Sequence, residues 1–282
     1  KLTISAYYGS ASILYGLTSL YELWNDDELL KYCNVLLENI EELIEHDQIY
    51  DIIGGSAGVI LVLLKYYELT GSEKVLNIAR KLGDHLIKNA ISVGKGVGWR
   101  SVTSSVPLGG FSHGAAGIAL SLYQLYQVTQ EVIYLNVCKQ ALAYQDSLFK
   151  SDERLWEDLR EGKKSLSQFG WCHGSSGVIL AYTQMWEILS SEQKSMVHNA
   201  FESTLSNFTS DNHSLCHGDL GTYWALSKCT EKISSFSGMN NKPIRSGFPG
   251  GIESPNLMMG LSGTGLALLA MEQYIPNVLL LE

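Results

Sequence analysis

The phrases His113-Gly114-Ala115-Ala116-Gly117, His173-Gly174-Ser175-Ser176-Gly177 and His217-Gly218-Asp219-Leu220-Gly221 share one pattern: a glycine, two residues, a second glycine, then an apolar run. Read outward from them, the chain holds three more versions. These are Tyr8-Gly9-Ser10-Ala11-Ser12, Gly54-Gly55-Ser56-Ala57-Gly58 and Met259-Gly260-Leu261-Ser262-Gly263. Successive leading glycines lie 46, 59, 60, 44 and 42 residues apart. Self-similarity at such a period marks a repeat architecture with one supersecondary unit per period. Each period has room for two helices and their loops.

The two helices of a unit differ in kind. The run after each glycine turn is apolar nearly all round, as in Val59 to Leu64, and predicts a helix buried on every side. The second is amphipathic. Between Asp27 and His46, residues Leu29, Leu30, Cys33, Leu36, Leu37, Ile40, Leu43 and Ile44 fall at helical spacing, with Glu38, Glu41, Glu42 and Glu45 between them. Stretches 74–89 and 192–208 read the same way. Alternation of fully and half-buried helices predicts an all-α, double-layered helical barrel (an α/α toroid), with a linear solenoid of helix pairs as the alternative. Strand signals are few. Loops are expected around 92–112, 150–170 and 232–256, and no linker divides residues 1–282, which read as one domain.

Composition excludes several function classes. A chain of 282 residues that is 45% hydrophobic and 17% charged buries a substantial core. Its net charge of −9 argues against nucleic acid, whose phosphates need clustered Lys and Arg. No apolar run approaches the ~18 residues of a transmembrane segment. Five cysteines at irregular spacing do not form a disulfide framework and point to a reducing, cytoplasmic setting. The first residue is Lys1, and Leu2 to Leu17 already reads as folded protein, so the chain looks cut from a longer one.

Alignment on the leading glycine gathers the chemistry. One position earlier stand Tyr8, Gly54, His113, His173, His217 and Met259; two earlier stand Tyr7, Ile53, Ser112, Cys172, Cys216 and Met258. Three of seven histidines thus share one repeat position, and two of five cysteines the next. In a closed barrel equivalent positions lie at one height, so Cys172, Cys216 and His217 can meet although 44 residues separate the cysteines. Two thiolates and an imidazole are the ligand set of a catalytic zinc with one open position. Spacing alone leaves open that these are small buried residues at helix starts.

The phrases Gly110-Phe-Ser-His113-Gly-Ala-Ala-Gly117, Trp171-Cys172-His-Gly174 and Leu215-Cys216-His217-Gly-Asp-Leu-Gly221 resemble the lanthionine synthetase C-like family. More narrowly, they resemble the C-terminal cyclase half of class II lanthipeptide (lantibiotic) synthetases. Tyr50-Asp51 to Gly58, Trp156-Glu-Asp158-Leu-Arg160 and the ending Ile275 to Glu282 extend the resemblance over essentially the whole chain. It implies an α/α toroid of seven helix pairs, of which six repeats are seen here. The seventh is expected upstream of Lys1, together with an N-terminal dehydratase domain of a bifunctional parent. A missing inner helix is expected to expose Ile13, Leu14 and Leu17.

The resemblance further implies a Michael-type addition of peptide cysteine thiols to dehydroalanine or dehydrobutyrine in a dehydrated precursor peptide carrying its leader. Cys172, Cys216 and His217 are then the ligands of one Zn²⁺. His113 is the acid/base residue, and Asp51 orients it or assists protonation, with helix capping as its other reading. His173 and Asp219 are candidates for contacts behind the ligands, and Trp171 for packing beside the metal. Asp158 and Arg160 read equally well as an ordinary ion pair. Cys33, Cys138 and Cys229 lie off the motif positions and read as core thiols. The Gly-x-x-Gly turns lack the Lys and Ser/Thr of a P-loop, so no nucleotide site is expected. Two other functions fit the same ligands: a different zinc enzyme that alkylates thiols on the same toroid, and a non-catalytic zinc- or peptide-binding scaffold.

Overall fold

The computed structural model describes residues 3–102, 104–160, 168–229 and 243–282. Parts of the loops expected at 92–112, 150–170 and 232–256 lie outside the described residues. Among the described residues there are ten α-helices. The post-glycine runs form α1 (Ser10–Trp24), α3 (Ser56–Thr70), α5 (Ala115–Thr129), α7 (Ser175–Gln184), α9 (Asp219–Ser227) and α10 (Leu261–Glu272). The amphipathic partners are α2 (Asp27–Leu43), α4 (Glu73–Lys88), α6 (Val132–Asp146) and α8 (Ser191–Asn207).

Why the glycine turn starts a helix is visible in its hydrogen bonds. Every post-glycine helix has a glycine N-cap, and none has a side-chain cap. The exposed N–H groups of a first helical turn need acceptors. In five of the six they find carbonyls seven residues back, because the preceding turn folds over the helix end: Ser10 to Thr3, Ala115 to Leu108, Ser175 to Gln168, Asp219 to Asn212 and Leu261 to Ser254; in α3 the Ser56 N–H donates instead to the Asp47 carboxylate, nine residues back. That fold-back brings a carbonyl against the second glycine of the motif. A Cβ on Gly58 would lie 1.9 Å from the Ile52 oxygen, and one on Gly221 1.8 Å from that of Leu215. The motif is therefore steric in origin.

The helix classes follow their periodicities in α3 and α5 but not throughout, since Leu23 and Trp24 of α1 and Leu261 and Leu269 of α10 are exposed where burial on every side was expected. Val59, Ile60, Val62 and Leu63 of α3 are fully buried, as are Ala116, Ala119 and Leu122 of α5. On α2 only one stripe is buried, Cys33, Leu37 and Ile40. Contacts divide the chain into two compact units: Lys1–Leu108 with His113–Tyr144 and Leu280–Glu282, and Gly109–Ser112 with Gln145–Leu279. The single-domain reading carried no sign of this subdivision. In the first unit α3 packs between α1 and α5, with α2 against α1 and α4 against α3. The C-terminus belongs to this unit, where the Tyr15 hydroxyl donates to the Glu282 carbonyl at 2.8 Å. In the second unit α9 packs between α7 and α10, and α8 covers α7.

Two details depart from expectation. Segments read as loops contain short antiparallel hairpins, β1 (Ile91–Val93) with β2 (Gly96–Gly98) and β3 (Phe149–Lys150) with β4 (Leu155–Trp156). The first turns at Gly94, whose φ of +57° suits glycine; the second is held by Phe149 and Trp156, ring centroids 5.1 Å apart. Of the residues expected to be bared by a missing neighbour, Ile13 is 43% exposed and Leu17 half-buried, whereas Leu14, about 100° round α1 from Ile13, is fully buried. No helix among the described residues is long and apolar enough to cross a membrane.

Candidate metal centre

In the second unit, backbone bonds join the same position of successive glycine turns. Ser112 donates from N–H (3.0 Å) and hydroxyl (2.8 Å) to the Cys172 carbonyl. Cys172 N–H donates to the Cys216 carbonyl at 3.1 Å, and Cys216 N–H to that of Met258 at 2.9 Å. This is how residues 44 apart become neighbours. Gly170 tightens the approach: a Cβ there would lie 2.9 Å from His217 Cα, so only glycine lets the two turns close.

The result is that one ligand atom each from Cys172, Cys216 and His217 lie within 4.8 Å of one another, the only such trio of His, Cys, Asp or Glu among the described residues. Two donors on a tetrahedral zinc at ~2.3 Å stand about 3.8 Å apart, which this spacing accommodates. The electrostatics agree. The Cys216 thiol is raised well above its ordinary range, first by its hydrogen bond with Cys172, then by burial, and against a lowering from the Arg160 charge. Two adjacent buried sulfurs resist joint ionisation until a cation joins them. The donor set and spacing fit a soft divalent ion with three protein ligands.

The first unit holds the other expected residues. His113 Nδ1 and Asp51 Oδ2 are 2.7 Å apart, with the carboxylate buried and the imidazole one-third exposed. Asp51 is fixed at its other oxygen, which accepts the Gly54 N–H at 2.8 Å. Its turn is held in place by Asp47, whose carboxylate accepts from Ile49, Tyr50 and Ser56 N–H groups and the Ser56 hydroxyl. Asp51 thus both closes the turn ahead of α3 and pairs with His113; it does not cap the helix, whose N-cap is Gly55.

Asp158 and Arg160 form a bidentate ion pair, with Arg160 Nε 3.0 Å from both carboxylate oxygens. Burial raises the Asp158 carboxyl, but Arg160 and His173 outweigh it and hold it below its ordinary range. The charges of the pair are felt at His173 and Cys216, so it is more than an isolated surface contact. Asp219 is buried at the N-terminus of α9, and Trp171 is fully buried against Phe111, ring centroids 5.4 Å apart. Cys33 and Cys138 are core thiols, whereas Cys229 is half-buried as a residue; burial pushes Cys138 up to about 12 and Cys229 up to about 11.

Sequence reasoning overlooked the residues that shape the ligand turn. Asn212 Oδ1 accepts from the Ser214 N–H and hydroxyl, and Ser214 Oγ accepts the His217 N–H at 3.4 Å. A signal existed. Four positions before each leading glycine stand Ser5, Asp51, Gly110, Gly170, Ser214 and Asn256. The side chains among them cap their own turns, and the two glycines admit the next turn, Gly110 against His173 and Gly170 against His217.

Comparison with known proteins bears on this arrangement. The family model described as lanthionine synthetase C-like protein matches residues 1–279. The lacticin 481/lactococcin biosynthesis protein LcnDR2 of Lactococcus lactis subsp. lactis is 24% identical over 196 residues, 66% of this chain. The chain spans about a fifth of that relative, the match covering 19% of its length. Nisin cyclase superposes with a TM-score of 0.77 over 99% of this chain and 80% of that one, at 20% identity. The GH76A alpha-1,6-mannanase of Salegentibacter sp. HEL1_6 superposes with a TM-score of 0.59 over 94% of this chain and 89% of that one, at 16% identity. At these identities the structural likenesses establish the fold class alone, the all-α α/α toroid.

Proposed function

We propose that this chain, which belongs to the lanthionine synthetase C-like family, is a zinc-dependent lanthionine cyclase domain of a lanthipeptide synthetase. Its reaction adds a peptide cysteine thiol across the double bond of dehydroalanine or dehydrobutyrine. Sulfur bonds to the β-carbon and a proton to the α-carbon. The observation that carries this reading is the convergence of Cys172, Cys216 and His217 ligand atoms within 4.8 Å. A zinc ion held by these three would keep an incoming thiol ionised at neutral pH through its Lewis acidity.

Ionisation explains only part of the rate. A free thiol of pKa ~8.5 is roughly 3% thiolate at pH 7, so complete ionisation gains about 30-fold. Orientation and proton transfer supply the rest. His113 fits the second task. With Nδ1 held by the Asp51 carboxylate, the ring presents Nε2 as the atom that exchanges a proton with thiol or α-carbon. The precursor peptide with its leader is the proposed substrate. A dehydratase domain of the same parent protein is the proposed source of its dehydroamino acids, in keeping with the small share of LcnDR2 that the chain matches.

The deciding experiment is metal analysis of wild type beside Cys172→Ala, with ring closure followed on a pre-dehydrated peptide by loss of alkylatable thiol. The expected result is one zinc per chain, lost together with cyclisation in the variant. Cyclisation by a metal-free wild type, or full activity in Cys172→Ala, would overturn the proposal. A prenyl diphosphate assayed beside the peptide separates the thiol-alkylating alternative, and His113→Ala with zinc intact but activity lost excludes a mere scaffold.

A further inference from the structure

The proposed reaction leaves two buried histidines, His85 and His213, without a task, and the structure assigns one to the second: His213 is a positioning residue for His217, acting by holding residues Arg245–Gly247 beside the His217 ring. This inference rests on the reading of Cys172, Cys216 and His217 as a metal centre.

The bridge between His213 and the 245–247 segment runs in both directions. His213 N–H donates to the Arg245 carbonyl at 2.9 Å, and Arg245 N–H donates to His213 Nδ1 at 3.1 Å. The segment is held further along by Gly247 N–H on the Met259 carbonyl at 2.7 Å and the Ser246 hydroxyl on the Ile252 carbonyl at 2.7 Å. His213 is itself anchored: it is 3% exposed, and its carbonyl accepts the Thr264 hydroxyl of α10 at 3.3 Å.

The hydrogen bonding fixes the ring's chemistry. Because Nδ1 accepts an amide proton, the imidazole is neutral and carries its own proton on Nε2. That Nε2 is buried with no acceptor among the described residues, an arrangement that costs stability. The residue is thus explained by what Nδ1 holds and not by full satisfaction of the ring.

Two residues beyond the amide that Nδ1 holds, the segment passes close to the proposed ligand. A Cβ on Gly247 would sit 2.6 Å from Ser214 Oγ, 2.8 Å from Ser214 Cβ and 3.1 Å from His217 Cε1. Cε1 lies between the two ring nitrogens. The segment therefore stands close beside the ring edge that carries both nitrogens, and its position bears on the ring's orientation. Only a glycine fits there, and only a segment fixed at Arg245 keeps it there. Preorganised donors bind metal more tightly than mobile ones, and supporting contacts of this kind are worth about 10-fold or more in affinity.

The test measures metal binding to the full chain, by chelator competition with zinc and by the thiolate-to-cobalt charge-transfer and d–d bands of the Co²⁺ form. His213→Ala is expected to weaken zinc about 10-fold and to alter the Co²⁺ bands, with far-ultraviolet dichroism unchanged. His213→Asn keeps an acceptor near the place of Nδ1 and is expected to restore most of the affinity. Wild-type affinity and bands in His213→Ala would overturn the inference. So would a folded His213→Asn as weak as the alanine variant, since ring packing and not the hydrogen bond would then matter. Should His213→Ala fail to fold, Gly247→Ala decides: an unchanged Co²⁺ spectrum there removes the segment from the site. A wild type that binds no metal sinks the underlying metal reading instead, a distinguishable result.

Discussion

Asp51 shows how much one side chain can settle. Its two oxygens have separate partners, the Gly54 N–H and His113 Nδ1. Asp51→Asn keeps the first bond but turns an amide donor toward the imidazole, which forces the ring's proton onto Nε2, the wrong tautomer for a base. Cyclisation is expected to fall by about 10²–10⁴-fold with zinc content and melting temperature little changed. Equal loss of zinc would place Asp51 in the metal site instead. Cys216 makes a second prediction. Its thiol is raised in the metal-free protein by Cys172 and by burial, so metal must displace a proton on binding. Zinc affinity is therefore expected to climb about 10-fold per pH unit between pH 6 and 8 for each proton released. Flat affinity, or no proton release in weak buffer, would contradict this.

At the scale of the element, the glycine turn is a capping device. A glycine N-cap has no side-chain acceptor of its own, and the fold-back of the preceding turn provides one in its place: a carbonyl in five helices and the Asp47 carboxylate in α3. The second glycine is required by the contact this creates. Gly221→Ala would drive a methyl into the Leu215 carbonyl, next to Cys216, and is expected to cost about 1–3 kcal/mol together with zinc binding. Gly16, inside α1 with nothing within 4 Å of its would-be Cβ, is the contrast: Gly16→Ala is expected to stabilise by about 0.5–1 kcal/mol. Paired thermal melts with zinc titration read both. This distinction was half legible in the sequence. The period and the glycines announced the turns, whereas a motif glycine and a helical glycine look alike until their neighbours are known. The hairpins β1–β2 and β3–β4 were illegible for a related reason: strands of two or three residues have too few positions to show alternation.

For the molecule as a whole, the proposed zinc ligands all belong to the second unit, while His113 and Asp51 belong to the first. Chelation is expected to act unequally. Metal binding stabilises only the structure whose unfolding releases it. Hydrogen exchange after EDTA is expected to quicken around 168–174 and 212–219, with α3 and α5 unchanged. Uniform loss of protection would mean that the units unfold as one.

Sequence alone determined the helical repeat, the two helix classes and the candidate ligands, because these depend on local spacing: apolar period, glycine position and the residues one and two places before it. Tertiary structure decided what local spacing cannot encode. The meeting of Cys172 with Cys216 runs through a backbone bond across 44 residues, and the pairing of His113 with Asp51 spans 62. The electrostatic reach of Arg160 to Cys216 and the bond between Arg245 and His213 likewise join segments far apart in sequence. Contacts between distant segments are chosen by packing and by hydrogen-bond closure, and neither leaves a period to read.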